Sequence, residues 1–278
     1  MTPIHISSFS DGHQGGNPAG VVIADHLPDA DTMQAIAADL GYSETAFAAP
    51  KGEAWRVRYY APVGEVAFCG HATIALGAAL GAQNGAGKFD LHLRDDRITV
   101  EASQEADRWT ATLQSPQTWS KPMGDDLFAA LMDAFALARE DLNPDLPPTL
   151  AFGGVQHAIL TLKNRGRLAQ MAYPFDTMRD IMALHGLVTV SLLHVDGPRT
   201  FSARNAFASG GVFEDPATGA AAAALGGFLV DLDWDGLGAG GQFEILQGTD
   251  MGQPSVLKIA VTGQKGASVR VSGAVRWM

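Results

Sequence analysis

The sequence predicts an α+β fold of two similar domains, each a mostly antiparallel sheet wrapped around a central apolar helix. Three observations lead to this prediction. Most of the chain alternates apolar and polar residues as strands do, and two segments read as helices that are apolar on every side. The order of strands, glycine-rich turn, apolar helix and more strands also occurs twice. At 278 residues the chain has the length of two domains of roughly 140 residues each.

Strands are predicted wherever apolar side chains recur at every second position. The clearest case is Trp55–Tyr59, where Arg56 and Arg58 separate the apolar residues. The other predicted strands are 89–93, 98–102, 158–162, 188–195, 243–247, 256–261 and 269–274.

Five helices are predicted, of which two are expected at the surface and two in the core. Asp29 or Asp31 can cap a helix that ends at Gly41, and surface helices are also predicted at Asp125–Leu137 and Thr177–His185. The segments that lack a polar face are His71–Leu80 and Thr218–Val230. A helix that is apolar all round belongs in the middle of a core, so each of these predicts the centre of one domain.

The predicted N-terminal domain is 1–118, closed by a C-terminal strand at 267–278, and the predicted C-terminal domain is 119–266. Asp141–Pro148, rich in proline and acidic residues, is interpreted as a linker or a surface loop.

Composition and charge exclude several classes of function. The net charge of −11 and the lack of a basic cluster argue against nucleic-acid binding. Cys69 is the only cysteine, so no internal disulfide can form, which fits a reducing compartment. No segment has the length and hydropathy of a membrane span or the pattern of a signal peptide. We therefore expect a cytoplasmic protein without a membrane partner.

Four segments place polar residues in turns that the apolar pattern predicts to be buried. They are Gly16–Pro18, Ser43–Phe47, Phe68–Thr73 and Glu214–Gly219, and the last two open the apolar helices. Helix N-termini carry unpaired N–H groups and partial positive charge, so they attract carboxylates. The sequence therefore predicts an anion-binding cleft.

Glu44, His71 and Asp215 could supply the titrating groups for proton transfer in that cleft. Each residue also has an ordinary structural interpretation. Asp215 before Pro216 is typical of a helix N-cap, His71 could be a core histidine bonded to a carbonyl, and Glu44 could be a solvated charge. Cys69 is interpreted as a small buried hydrophobic residue that could line the site.

Taken together, the segments resemble one family over nearly the whole chain. GNPAGVVIAD, LGYSETAF, RYYAPVGEVAFCGHATIALGAAL, EDPATGAAAAALGGFL and QGTDMGQPS follow one another as in the phenazine-biosynthesis (PhzF-like) family. That family is related by fold to diaminopimelate epimerase and proline racemase. The resemblance implies two domains about a pseudo-twofold axis, a site between them, no metal or organic cofactor, and a homodimer.

The resemblance also implies a function and a set of site residues. In the phenazine enzyme a glutamate moves a proton across a dihydro-hydroxyanthranilate ring, assisted by a histidine and an aspartate. The matching residues here are Glu44, His71 and Asp215. We expect a small carboxylate substrate. The predicted substrate-binding residues are Asn17, Gly70, Thr218, Gly219 and Ala220.

The chain departs from the family pattern where the substrate is expected. Ala220 stands where the family usually has serine, so a hydroxyl that could bind a carboxylate is missing. Gln253 replaces an arginine. These departures leave the substrate open and argue against the phenazine enzyme itself.

A proton-shifting isomerase has three alternatives on this fold. A two-thiol racemase is excluded because it needs two cysteines and the chain has one. A one-base epimerase that uses Glu44 and a non-catalytic binding protein on the same fold stay open.

Overall fold

The computed structural model describes residues 2–94 and 96–278. The chain divides into two compact units. The first unit is Met1–Gln114 with Arg270–Met278, and the second unit is Ser115–Val269. The division falls inside two strands, Arg108–Gln117 and Ser268–Trp277, whereas the predicted boundaries lie at an end of each of these strands.

The first unit contains many strands and few helices, as the sequence predicts. Its helices are α1 (Ala30–Leu40) and α2 (Gly70–Asn84). Its strands are β1 (Ile4–Ser8), β2 (Asn17–Ile23), β3 (Thr45–Lys51), β4 (Ala54–Ala61), β5 (Gly64–Val66), β6 (Gly87–His92) and β7 (Arg97–Glu105), with most of β8 (Arg108–Gln117) and, from the C-terminus, β17 (Ser268–Trp277).

The sheet of the first unit curves around α2. Antiparallel pairs join β1 to β2, β3 to β4 and β6 to β7, and parallel pairs join β2 to β3 and β4 to β6. Helix α2 packs against β1, β2, β3, β6 and β7, and its residues 70–81 are all buried. Helix α1 covers the other face of the sheet, where Met33 and Ala37 pack on Val22, Phe47 and Tyr60.

Local signals explain where α1 begins and ends. The Asp29 side chain accepts a hydrogen bond from the backbone N–H of Thr32, and Gly41 ends the helix in the left-handed conformation with its N–H bonded to the Ala37 carbonyl. Both ends agree with the sequence prediction.

The second unit has four α-helices, α3 (Asp125–Ala134), α4 (Arg165–Ala169), α5 (Phe175–His185) and α6 (Gly219–Asp231). Its strands are β9 (Trp119–Pro122), β10 (Thr149–Phe152), β11 (Gln156–Leu162), β12 (Thr189–Gly197), β13 (Thr200–Ala206), β14 (Glu214–Asp215), β15 (Gly241–Gln247) and β16 (Ser255–Val261). Helix α6 is the second apolar helix, and its residues 219–230 are all buried.

Strand pairing in the second unit has the same order as in the first. Antiparallel pairs join β10 to β11, β12 to β13 and β15 to β16, and parallel pairs join β11 to β12 and β13 to β15. Helices α3 and α5 lie over one face of this sheet, where Leu127, Leu131 and Met178 pack on apolar strand residues. The pseudo-twofold relation between the units stays a prediction.

Helix α3 and the segment Asp141–Pro148 depart from their predictions in ways that have a local cause. Helix α3 ends at Ala134 rather than Leu137, because Ala136 takes a positive φ of 49° and Leu137 bonds back to the Met132 carbonyl. No glycine marks this stop in the sequence. Asp141–Pro148 lies inside the second unit, where buried Leu146 anchors it, so it does not link the units.

Among the described residues, no helix combines the length and the hydropathy needed to cross a bilayer.

The sheet of the second unit also buries polar side chains. His157 and Ser191 alternate with residues of the apolar face of β11 and β12 and therefore point to the opposite face. His157 Nδ1 lies 2.8 Å from Thr189 Oγ1, whereas His157 Nε2 and Ser191 Oγ have no hydrogen-bond partner among the described residues. Burial lowers the pKa of His157 to about 3.

Replacing Gly81 with alanine should destabilise the fold by about 1–3 kcal/mol through overpacking. A Cβ at Gly81 would lie 2.6 Å from the Cβ of Ala102 and 2.5 Å from the Trp109 ring. Urea unfolding measures the change. Gly87→Ala is the control, because a Cβ there meets no described atom within 4 Å, and we expect a change within about 0.5 kcal/mol. Equal effects of the two substitutions would show that the close packing of Ala102 and Trp109 on Gly81 is not what makes a side chain there unfavourable.

His157 should make stability depend on pH. Its pKa in the folded chain lies below the value of about 6.5 expected in the unfolded chain. Protons therefore bind the unfolded state preferentially, and stability is lost as the pH falls from about 6.5 towards 3. Above about pH 6.5 His157 is neutral in both states, so it no longer makes the free energy of unfolding depend on pH. At pH 5 the expected loss is about 2 kcal/mol.

The variant His157→Asn retains a polar group near Thr189 but does not titrate in this range. Its free energy of unfolding, measured at pH 7, 6 and 5, should fall by about 2 kcal/mol less than that of the wild type. Comparing slopes removes the constant cost of the substitution. Parallel pH profiles would show that His157 is not the group responsible.

Candidate active site

Glu44 lies in the turn between α1 and β3 in the first unit. The parallel pairing of β2 with β3 fixes this turn, and the Gly20 N–H donates to the Glu44 carbonyl at 3.3 Å. The residue is only 8% exposed. The interpretation of Glu44 as a solvated charge is therefore wrong.

His71 occupies the second position of α2, directly after Gly70. Its backbone carbonyl accepts a hydrogen bond of 2.7 Å from the Ser8 hydroxyl. In the side chain, Nε2 lies 3.5 Å from Glu44 Oε2 and 3.3 Å from Ser43 Oγ, while Nδ1 lies 3.3 Å from Cys69 Sγ. The fold thus places both a carboxylate and a thiol against the imidazole.

Burial determines the charge of this imidazole. It lowers the pKa of His71, and the opposing influences of the Glu44 carboxylate and of a hydrogen bond to the Pro18 backbone only partly offset it. His71 is therefore neutral at pH 7. A neutral ring has one N–H donor and one acceptor nitrogen, so it can donate to one neighbour and accept from another.

The loop before β2 places Asn17 next to the start of α2. Asn17 is buried and lies opposite Ser8 in the register of β1 and β2, and Ser8 is the residue that binds the His71 carbonyl. Gly16 has a φ of +82°, and a Cβ there would lie 2.5 Å from Ser7 Oγ. Glycine is required at this position because of that close approach.

Hydrogen bonds of the Thr73 side chain hold the first turn of α2. Thr73 Oγ1 donates to the Cys69 carbonyl at 2.7 Å and lies 2.6 Å from the Tyr59 hydroxyl. Cys69 is the N-cap residue, but its side chain makes no capping hydrogen bond to any described residue. The earliest helical bond here joins the Thr73 N–H to the Cys69 carbonyl. Helical geometry therefore leaves the amides of residues 70–72 without partners within α2.

Asp215 belongs to the second unit, where it lies in β14 and pairs with Asn205 of β13. It is buried, and its Oδ2 accepts a hydrogen bond of 2.5 Å from the Thr218 hydroxyl. The N-cap residue of α6 is Thr218, three residues later, so the N-cap interpretation of Asp215 is wrong. Gly219 and Ala220 come next as the first two residues of the helix.

Gln247 connects this turn to β15, a role that the sequence analysis does not identify. Its Nε2 donates to the Asp215 carbonyl at 2.7 Å and to Thr218 Oγ1 at 3.0 Å, and its Oε1 accepts from the Thr218 N–H at 3.2 Å. A single buried amide thus holds both ends of the segment from Asp215 to Thr218. The only signal in the sequence is the position of Gln247 in the family-like segment QGTDMGQPS.

Each apolar helix is also preceded by an arginine–glutamate pair that sequence reasoning missed. In the first unit, Arg58 Nε lies 2.7 Å from Glu65 Oε1, and the second guanidinium nitrogen binds Oε2. This hydrogen bonding lowers the pKa of Glu65. In the second unit Arg204 binds both carboxylate oxygens of Glu214. Both glutamates precede the helix-opening glycine by five residues.

One cluster combines side chains that commonly bind metals. Glu44, Cys69 and His71 form the one group of three such residues found in the described part of the chain, and their donor atoms lie within 4.8 Å of one another. All three are buried. Asp215 is not a member of this cluster.

Comparison with known proteins identifies the family. The profile of the family described as "Phenazine biosynthesis-like protein" (PhzC-PhzF) matches residues 6–277. The chain therefore belongs to the phenazine biosynthesis-like family. A Bacillus subtilis (strain 168) protein named uncharacterized isomerase YfhB is 29% identical over 278 residues, which cover 95% of this chain and 92% of that protein.

Solved structures show the same mixed fold of many strands and few helices. The Bacillus anthracis phenazine biosynthesis protein of the PhzF family matches with a TM-score of 0.87 at 20% identity, over 99% of this chain and 96% of that chain. A probable proline racemase from Agrobacterium radiobacter K84 matches with a TM-score of 0.69 at 11% identity, over 99% and 90% of the two chains. At these identities the likeness shows a shared fold.

Glu214→Gln should destabilise the protein by about 3–5 kcal/mol, because it leaves the Arg204 charge buried without its counter-ion. The two side chains are only 10% and 4% exposed. Glu101→Gln is the matched control, since it breaks an Arg270–Glu101 pair whose side chains are about half exposed, and we expect a change below about 1 kcal/mol. Thermal or urea unfolding measures both changes, and similar losses would refute a special role for the buried pair.

Proposed function

We propose that this protein is a cofactor-independent isomerase that uses Glu44 to move a proton within a small carboxylate-bearing substrate. The observation that carries the proposal is the contact between two buried groups, the Glu44 carboxylate and the neutral His71 imidazole, 3.5 Å apart. A carboxylate held in a buried site beside a hydrogen-bonding partner is suited to general acid–base catalysis. The isomerase names of relatives such as YfhB also support it.

In the proposed reaction, the Glu44 carboxylate takes a proton from a substrate carbon whose C–H bond is weakened by conjugation or by a carboxylate. The electron pair of that bond moves into the conjugated system. Glu44, now a carboxylic acid, returns the proton to a second carbon. Substrate and product contain the same atoms, so the reaction needs no oxidant or reductant.

His71 orients Glu44 in this proposal. Its neutral ring can donate a hydrogen bond to the carboxylate, and its position is fixed by the Ser8 hydroxyl on its backbone carbonyl. Asp215 is proposed to orient the substrate and stabilise or relay charge, as the family resemblance implies. Its carboxylate is already constrained by the Thr218 hydroxyl at 2.5 Å.

Substrate binding is assigned to the first turns of the two buried helices. The amides at Gly70 and Gly219 attract a carboxylate through the helix dipole and unpaired N–H groups. Asn17 and Thr218 are proposed to contribute polar contacts. Ala220 supplies no hydroxyl, so the carboxylate of this substrate depends more on backbone amides.

We also propose, from the family resemblance, that the two units are related by a pseudo-twofold axis and that the chain forms a homodimer. Light scattering during size-exclusion chromatography measures the assembly, with an expected mass of twice the 29.2 kDa of one chain.

The proposal is tested by proton exchange in heavy water. A dihydro-hydroxyanthranilate, the ring named by the family resemblance, serves as a surrogate for the natural substrate, and we expect the wild type to incorporate deuterium into it, as followed by proton NMR. Glu44→Gln should lower the exchange rate by about 100- to 10,000-fold, because it removes the base, and should change the dissociation constant little. Glu101→Gln, an exposed glutamate in the same unit, is the matched control and should exchange as the wild type does.

A second probe, L-proline, separates the alternatives. Deuterium entering the α-carbon of proline with inversion, together with no deuterium entering the ring probe, would favour a one-base epimerase. Binding of either probe without exchange in the wild type would favour a binding protein. Undiminished exchange in Glu44→Gln would remove Glu44 from the mechanism.

A further inference from the structure

The cluster of Glu44, Cys69 and His71 has a donor set that the proposed proton transfer does not require. We propose that these three residues bind Zn²⁺, and that bound zinc inhibits the enzyme by occupying Glu44. The second half of this proposal rests on the function proposed above. A carboxylate oxygen, a thiolate sulfur and an imidazole nitrogen are all common zinc ligands, and three protein ligands leave a fourth position for water.

The distances within the cluster are close to those of a zinc site. Zinc bonds of about 2.0–2.3 Å in a tetrahedral site place neighbouring donor atoms about 3.3–3.8 Å apart. Glu44 Oε2 and His71 Nε2 are already 3.5 Å apart, and Cys69 Sγ lies 4.0 Å from the same nitrogen and 3.3 Å from His71 Nδ1. All three donor atoms lie within 4.8 Å of one another, so side-chain movements of about an ångström bring them to the separations of a zinc site.

Hydrogen bonds hold the backbone at each of the three residues of the cluster. Ser8 binds the His71 carbonyl at 2.7 Å, Thr73 binds the Cys69 carbonyl at 2.7 Å, and the Gly20 N–H binds the Glu44 carbonyl at 3.3 Å. A site whose ligands are positioned by such supporting bonds loses little entropy when it binds a metal. The Cys69 thiol also takes no part in capping α2 within the described structure, so ligation does not break a helix cap.

The donor set also determines which ions should bind. Mg²⁺ prefers oxygen ligands in an octahedral arrangement, and only one of the three side chains offers an oxygen. Zn²⁺ and Co²⁺ accept sulfur and nitrogen in a tetrahedral site. When zinc binds, the Cys69 thiol loses its proton to solvent and a zinc–sulfur bond forms, without any change of oxidation state. The Glu44 oxygen bound to zinc can no longer accept a proton from substrate.

The first experiment uses metals alone. Cys69 is the only cysteine in the chain, so a thiolate-to-cobalt charge-transfer band in the near ultraviolet can come only from its ligation. We expect this band on adding Co²⁺, its loss on adding Zn²⁺, and a calorimetric stoichiometry of one zinc per chain. Mg²⁺ should give no signal. Absence of the band at saturating cobalt would refute the site.

Variants then assign the ligands. Cys69→Ser keeps the size of the side chain and should weaken zinc binding by about 100-fold or more, since losing even an outer-shell partner costs 10- to 100-fold. His194→Gln is the matched control, because His194 lies 2.7 Å from Asp196 and forms the kind of surface pair that binds zinc weakly. If His194→Gln abolishes binding and Cys69→Ser does not, the proposed site is wrong.

Protection from alkylation tests the site in the wild type, whatever the folding of the variants. Zinc should slow the reaction of Cys69 with iodoacetamide by at least about 10-fold, and an unchanged rate would refute ligation. The rate of deuterium exchange into the ring probe, measured with and without zinc, then tests the proposed inhibition. Zinc binding by a protein that shows no isomerase activity would support the zinc site and refute the proposed function. Full isomerase activity at saturating zinc would refute the inhibition.

Discussion

The fold depends on the close approach of each sheet to a helix made of alanine, glycine and leucine. In α2 a Cβ at Gly77 would lie 2.4 Å from Val100, and in α6 a Cβ at Gly227 would lie 2.4 Å from Thr118. Because these helices are thin, strands can surround them and bury every side of residues 70–81 and 219–230. The helix start is then carried into the interior of its unit, together with whatever residues the sequence places there.

The turn before each buried helix is fixed by the same device. Arg58 and Glu65 precede Gly70, and Arg204 and Glu214 precede Gly219, with equal spacing from glutamate to glycine. The two units differ in the polar residues around that glycine. The first places His71 directly after its glycine, beside Glu44, whereas the second has Ala220 there and carries Asp215 ahead of the helix. A repeated scaffold thus presents different chemistry in each unit.

Those parts of the fold that depend on local chemistry could be predicted from the sequence. The Asp29 cap, the Gly41 stop and the two helices without a polar face are consequences of short-range preferences and periodicity. The contacts made by Gln247 and Arg204 join residues far apart in sequence or depend on the course of the strands, so no local pattern reveals them. The end of α3 at Ala134 was missed because Ala136 adopts a conformation usually taken by glycine.

The candidate site divides in the same way. The family-like segments predict that Glu44, His71 and Asp215 share one site, and the structure places Glu44 and His71 3.5 Å apart in the first unit. The apolar pattern predicts a buried turn at Ser43–Phe47, but a glutamate taken alone is more often a solvated charge, so the burial of Glu44 itself depends on how the unit packs. Cys69 is predicted to be a small buried residue that could line the site, but its contact with the His71 ring has no signal in the sequence.

The thinness of α6 has a consequence for how such a protein can change over evolution. In the body of the helix, a Cβ at Gly227 would lie 2.4 Å from Thr118 and a Cβ at Gly226 would lie 3.0 Å from Val269. The body of the helix therefore cannot accept larger residues without displacing the sheet. New specificities have to arise at its first turn and in the loops around it, where side chains can change while the core is left intact.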